Sequence, residues 1–554
     1  MVARLKENSP AFAGLSLPQR IGLLEQMRAG YREIAEQSVL EACRAKGIPP
    51  KSPIAGEEWL AGPTIVTRNL RLLRDSLRQI EAEGAPKLQK SWIHTLADGR
   101  LSIRVFPINA LDGVLLPKHS AEAWMAPGIA ASNLKEHQAS FYRRPHPGKV
   151  CLVLGAGNVN SIPPTDCAYK MFVEGKVCLL KMNPVNAYLG PLLERAFAAA
   201  IERGFFAVAY GGVDEGEFLV NHPQVDEVHI TGSDKTHDLL VWGPPGPERE
   251  ARKSRGEPLL KKSITSELGN ISPVVVVPGP YAKGELIYQA RDIAGMVVNN
   301  ASFNCNSAKL LVTARGWEQR PSLLASVERA LGQGTVRTAY YPGAEERWRQ
   351  FTSGRSGLRL IGTARAGELP FAIIPDVDPA QTGDRVFTQE PWCSVLSETA
   401  LPGSDPVSFL DSAVRFLNEK VWGTLCATLI VHPRTLADSS GREAVEKAIR
   451  ELRYGAVAVN TWPAAVFALG SAPWGAHPSG TLQDIQSGRG WVHNTFMLEG
   501  IEKCVLRAPL TGFPISPWFP GHRTLEPLAR QLVDFEMHPS WTKVPRIAFT
   551  AMRA

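Results

Sequence analysis

The sequence predicts an α/β protein whose first half is organised as a doubly wound parallel sheet of the dinucleotide-binding type. Four apolar runs, VCLVLGAGN, VCLLKMNP, FFAVAYGG and DEVHITGS, succeed one another between Val150 and Ser233. They are too continuous for strands with one face in water, and fit strands covered on both faces. Between them lie amphipathic stretches with apolar residues at helical spacing, so strand and helix alternate. The length of 554 residues exceeds what one hydrophobic core organises, so two or three domains are expected.

In chain order, residues 16–46 form a helical pattern behind the start signals Ser16 and Pro18. Residues 54–84 read as a second helical segment, and its Arg-rich stretch RNLRLLRDSLR is expected to face solvent. From Leu88 to Leu116, short alternating runs predict a small sheet or ribbon. SFYRRPHPGKV, from Ser140, reads as an exposed strand with a turn at Pro145–Gly148. After the four apolar strands, Asp238–Leu259 is rich in Pro, Gly and charge and reads as an exposed loop. A second alternation follows, with strands in KLLVTA, CATLIVH and GAVAVN and helices over 321–332, Ser408–Lys420 and Gly441–Tyr454. Residues 358–376 read as paired strands. Beyond about residue 465 the chain reads as loop-rich, with a short helix near Leu525–Phe535 and a polar tail.

Composition narrows the function. Hydrophobic residues make up 44% and charged residues 21%, ordinary values for a globular protein. The net charge of +7 is spread along the chain, which favours a solvated basic surface over nucleic-acid binding. The eight cysteines show neither CxxC pairs nor Cys/His ligand spacing, so neither a metal nor a disulfide framework is expected. No apolar h-region opens the sequence and no run is long enough to span a bilayer, so a cytoplasmic address without a membrane span is expected.

The chemistry concentrates in Ser263–Ala308, which opens on Glu267-Leu268-Gly269 and closes on Cys305 in an Asn/Ser-rich turn. A carboxylate and a thiol joined by a strand and a helix can be folded together as base and nucleophile. Ligands of doubly wound sheets sit at the carboxyl ends of the strands. That places Asn158, Lys181 and Gly232-Ser233 along one edge. GAGNVN is a poor match to GxGxxG, because Asn160 stands at the third glycine.

Taken in order, these pieces resemble the aldehyde dehydrogenase superfamily over roughly residues 110 to 510. VLGAGN places Asn158 at the family's asparagine, and LLKMNP places Lys181 at the family's separation from it. ITGS is similar to the family's Gly-Ser turn. SELGNISP holds Glu267 at the general base, NNASFNC ends at the nucleophile Cys305, and QEPWCSV holds Glu390 at a ribose-binding glutamate.

The resemblance implies a Rossmann-type cofactor domain (1–138 and 150–265) and an α/β catalytic domain (266–455). It further implies oligomerisation-arm strands (139–149 and 500–508), a return segment (456–499) and a C-terminal extension (509–554). It implies Cys305, Glu267 and Asn158 as catalytic residues and Lys181, Gly232, Ser233 and Glu390 as cofactor-binding residues. The implied reaction joins an aldehyde to Cys305 as a hemithioacetal, oxidises it to a thioester with NAD or NADP, and hydrolyses the thioester with water activated by Glu267. The implied assembly is a homodimer or homotetramer.

The sequence departs from the family at several points. Asn270 replaces the second glycine of ELGG, and Ser302 and Phe303 replace the usual Gly and Gln before the nucleophile. Pro184 stands where a glutamate usually clasps the adenosine ribose, which admits NADP beside NAD. Two other functions remain open: a coenzyme A-dependent acyl-CoA reductase using the same cysteine, and a catalytically silent cofactor-binding protein. Glu267 argues against the first, and the retained Cys305–Glu267 pair against the second.

Overall fold

The computed structural model describes residues 1–554. Two sheets organise the chain. The smaller has six strands in the order Gly488–Arg489, Ser263–Leu268, Glu227–Gly232, Val150–Leu154, Val177–Lys181 and Phe206–Ala209. All pairs are parallel except the first, which is antiparallel. The chain starts mid-sheet at Val150, builds outward to Phe206, then crosses back to Glu227. The switch point therefore falls between Val150–Leu154 and Glu227–Gly232, and a crevice opens at the carboxyl ends there. Val150–Val153 and Val177–Lys181 are buried along their length, as their unbroken apolar runs require.

The larger sheet has eleven strands. Its parallel centre contains Pro273–Val276, Leu310–Ala314, Val395–Leu401, Cys426–Ile430 and Ala456–Val459. Two large hydrophobic cores hold the layers: one joins the smaller sheet to a face of the larger sheet's strands Leu101–Phe106, Ser120–Met125 and Ile501–Arg507, and the other packs around the larger sheet's parallel centre. The helix Lys283–Val298 runs from the first of these central strands towards Cys305, with its Ala290, Ile293, Ala294 and Val297 fully buried. No helix is long and apolar enough to cross a membrane.

Several expectations are corrected. The ribbon expected before Leu116 is not a separate sheet. Ile93–Thr95, Leu101–Phe106 and Ser120–Met125 extend the edge of the eleven-stranded sheet, although the resemblance assigns 1–138 to the cofactor domain. The strand expected over 139–149 is absent, and Ser140–Arg143 form one 3₁₀ turn. Pro145 and Pro147 remove ladder donors, and Gly148 lies so close to Ser9 that a Cβ there would sit 2.1 Å from its carbonyl carbon. The strand in 500–508 exists as Ile501–Arg507, but both of its edges are taken within the chain. It pairs in parallel with Ala456–Val459 and antiparallel with Ser120–Met125, so it is not a free arm.

The supposed loop 238–259 contains the helix Pro247–Arg255, with proline at its first position and the left-handed Gly256 at its end. The polar tail forms a further helix, Val544–Met552. The Arg-rich stretch is solvated only in part: Arg78 is exposed and Arg74 half-buried, but Arg68 and Arg71 are buried under the helix Leu525–Met537, where both bind Glu536.

Candidate active site

The fold brings Glu267, near the end of strand Ser263–Leu268, against Cys305, in the turn after helix Lys283–Val298. The Cys305 Sγ donates to Glu267 Oε1 at 3.2 Å. All eight cysteines are free thiols, and Cys305 alone is not fully buried. Burial, followed by the neighbouring Glu267, pushes the Cys305 thiol well above the usual range. Burial also pushes Glu267 up to about 7, helped by the charge of Asp166 and opposed by Cys305 and Trp474. Glu267 is thus poised near neutrality, in contact with a protonated thiol. It can take that proton and later one from water, as a general base needs.

The loop that leads into Cys305 is held in an unusual shape. Asn300, Ala301 and Ser302 have φ of 50°, 52° and 70°, three successive left-handed residues that are not glycine. Two buried lysines fasten them. Lys309 Nζ donates to Ser302 O at 2.7 Å, to Ser302 Oγ at 2.6 Å and to Cys393 O at 3.0 Å. Lys46 Nζ donates to Asn300 Oδ1, to the Asn158 carbonyl and to Glu58 at 2.9–3.0 Å. Asn158 joins the same support, since its Nδ2 donates to Phe303 O at 2.9 Å. The Cys305 backbone N–H donates to no carbonyl. It and the second Asn158 amide proton are the donors left for an oxygen beside the sulfur.

A cleft of about 890 Å³ runs from the strand ends to this pair, lined by Asn158, Lys181, Gly232, Ser233, Glu267, Cys305 and Glu390. The seven positions singled out in the sequence therefore share one cavity. Lys181 closes its strand, and burial lowers its pKa against the pull of Glu215. Ser233 Oγ accepts from Thr236 N at 3.1 Å, capping helix Asp234–Trp242. Glu390 is pushed up to about 8 by burial, with Lys309 opposing, and its Oε1 is buried without a partner. A Cβ at Gly269 would come within 2.0 Å of Glu390 Oε2, so the glycine makes room for the carboxyl.

The residues that sequence reasoning missed are Lys46, Asn300, Lys309 and Asp166. Lys309 carried a signal: a lysine opening the buried strand run LLVTA has no apolar role there. Asp166 and Lys170 carried another, as charges four apart in an otherwise apolar helix. Lys46 and Asn300 carried none.

No family model matches the chain. It is 32% identical over 161 residues to human (Homo sapiens) 4-trimethylaminobutyraldehyde dehydrogenase, covering 27% of this chain and 29% of that protein. It is 28% identical over 266 residues to the betaine aldehyde dehydrogenase of Rhizobium etli, 46% of each chain. The chain thus matches less than half the length of these curated relatives. Among solved structures, the NADP-dependent glyceraldehyde-3-phosphate dehydrogenase of Bacillus halodurans C-125, complexed with NADP, aligns over 92% of this chain and 90% of that one. The TM-score is 0.60 at 17% identity. The NAD-dependent aldehyde dehydrogenase of Sinorhizobium meliloti aligns over 92% and 86%, with a TM-score of 0.59 at 19% identity. The fold is that of the aldehyde dehydrogenases. The likeness in sequence covers part of the chain, and the likeness in fold covers nearly all of it.

Proposed function

We propose that the protein oxidises an aldehyde to a carboxylic acid with NAD or NADP, through a hemithioacetal and a thioester on Cys305. The observation that carries this reading is the 3.2 Å contact between Cys305 Sγ and Glu267 Oε1 at the inner end of the large cleft. The residues around the cleft fit a dinucleotide. Lys181 makes no ion pair that competes for its charge, and the orphaned Glu390 Oε1 suits a ribose hydroxyl. Gly232 and Ser233 line the cleft where a helix N-terminus favours a phosphate. Pro184 brings no carboxylate to the adenosine side, so a 2′-phosphate meets no like charge there. A nicotinamide bound in the cleft would supply the hydride acceptor.

The chain's own residues do the rest. Glu267 takes the thiol proton, and the Cys305 sulfur attacks the aldehyde carbon. The Cys305 N–H and the Asn158 amide stabilise the oxyanion, by about 2.7–4 kcal/mol for one such donor. Once Glu267 has given up that proton and the thioester has formed, it draws a proton from water, which attacks the acyl carbon and expels the Cys305 thiolate, freeing the acid. The names of the curated relatives extend the proposal to aldehydes bearing a quaternary ammonium group.

Free thiols throughout suit a reducing cytoplasm. Association into a homodimer or homotetramer completes the proposal, with the outer strand Ile93–Thr95 offering an unpaired edge. The test is acid formation by purified protein from betaine aldehyde and a panel of simple aldehydes, with NAD or NADP, with and without coenzyme A. Acid produced without coenzyme A supports the reading. Strict dependence on coenzyme A overturns it in favour of an acyl-CoA reductase.

A further inference from the structure

We propose that Asp166, His229 and Thr265 form a proton path from Glu267 to solvent in a second cavity. The proposal rests on the reading of Glu267 as a general base. In the smaller sheet, Glu227–Gly232 and Ser263–Leu268 pair in parallel, with Thr231 opposite Glu267 and His229 opposite Thr265. Side chains alternate faces along a strand, so these four residues share one face. The helix Ile162–Phe172 covers it and is buried along its whole length.

Where that helix meets the sheet, the contact is polar. Asp166 Oδ2 accepts from Thr231 Oγ1 at 2.8 Å and lies 3.5 Å from His229 Nε2. His229 Nδ1 lies 2.8 Å from Thr265 Oγ1. Lys170, one turn beyond Asp166, donates to Thr265 Oγ1 at 3.2 Å and to Glu174 at 2.9 Å. Thr265 is only part-buried and lines a cavity of about 410 Å³ together with Lys262 and Arg489.

Two atoms point to use rather than to structure. Asp166 Oδ1 and Glu267 Oε2 are both buried without a hydrogen-bond partner. Neither oxygen is committed to a hydrogen bond within the chain, so each can take a proton. Thr231 links the two carboxyls: its hydroxyl holds Asp166 at 2.8 Å and its strand position is paired with Glu267, and the Asp166 charge raises the affinity of Glu267 for a proton. The groups that face Asp166 are Glu267, His229, Lys170 and His493. His493 is held down at about 4 by burial and stays neutral, so it brings no charge.

The proton balance closes on the chain's own atoms. Glu267 passes the proton taken from the thiol or from water to Asp166, directly or through one water. Asp166 hands it to His229 Nε2, and the imidazolium releases the Nδ1 proton to Thr265 Oγ. The Thr265 hydroxyl gives up its own proton to water in the second cavity. Only O–H and N–H bonds change, and nothing is oxidised. Lys170, paired with Glu174, holds the Thr265 oxygen as a donor and carries no proton onward.

Two measurements test the path. The first needs no aldehyde: the rate of Cys305 alkylation by iodoacetamide as a function of pH, in wild type and Asp166→Asn. Loss of the Asp166 charge should move the Glu267-linked inflection down by about one pH unit; an unmoved inflection overturns the proposal. The second uses Thr265→Val, which keeps the shape and removes the hydroxyl. The first burst of reduced cofactor should be unchanged while steady turnover slows roughly tenfold, and Thr265→Ser should restore it. Turnover that is unaffected, or that falls together with the burst, overturns the path. A protein that oxidises no aldehyde defeats the proposed function, and the alkylation arm still decides the coupling of Asp166 to Glu267.

Discussion

Two of the groups of charges buried in this molecule are built differently. Under the helix Leu525–Met537, Arg68 donates to Asp112 at 3.1 Å and to Glu536 at 2.9 Å, and Arg71 donates to the other Glu536 oxygen at 3.0 Å. Two guanidinium groups meet two carboxylates, and both oxygens of Glu536 are used. In the cleft, Glu267 and Glu390 each keep one oxygen without a partner, and both are pushed towards the neutral form. The first group fastens helix Ile65–Glu83 to helix Leu525–Met537. The second stays unbalanced, and the imbalance is what makes a carboxyl reactive near neutral pH.

The sharpest way to separate the two is to remove the sulfur. Cys305→Ala should lower acid formation by about 10³-fold or more, while the urea unfolding midpoint stays at the wild-type value. A matching loss of stability would place Cys305 among the structural groups. Glu267→Gln should slow thioester hydrolysis by about 10²–10⁴-fold, read as steady-state turnover after a normal burst of reduced cofactor. In the wild type, turnover should rise with pH through about 7, because only the ionised Glu267 accepts a proton.

The balanced cluster should show the opposite pattern. Glu536→Ala leaves buried Arg68 with Asp112 alone and buried Arg71 with only the longer 3.6 Å pair to Asp75, at a cost of about 3–5 kcal/mol in urea unfolding. Turnover per folded molecule should not change.

The smallest effect concerns Glu390. Its folded-state pKa is raised to about 8, against an ordinary 4.5, so between these values the folded protein holds more protons than the unfolded one. Stability therefore falls as pH rises through that window. Glu390→Gln removes the fall and should be more stable than wild type at pH 8.5 by about 1–3 kcal/mol. Calorimetric unfolding across pH checks this, and identical curves for the two proteins would refute it.

Much of the site is legible because its residues stand at strand ends. Lys181 closes an apolar run, Gly232-Ser233 ends another, and Glu267 ends a third, so placing them needs only strand recognition and the rule for doubly wound sheets. Cys305 is visible through its order after Glu267. What failed was local reading without a partner. Arg68 and Arg71 look like a solvated face until a helix more than 450 residues further on covers them. Asp238–Leu259 looks like a loop because its charges outnumber its apolar residues, yet Pro247 and Gly256 bound a helix there.

The sequence by itself determined the alternation of buried strands with amphipathic helices and the chemical types at each strand end, since these depend on periodicity and side-chain chemistry along short stretches. Only the tertiary structure decided that the Cys305 sulfur touches Glu267, that Lys46 and Lys309 fasten three left-handed residues beside it, and that Asp166 meets Thr231 and His229 on the face that Glu267 shares. Those outcomes depend on distances between segments far apart in the chain and on the exclusion of water where they meet. Burial at that junction holds the thiol proton and brings the carboxyl near neutrality.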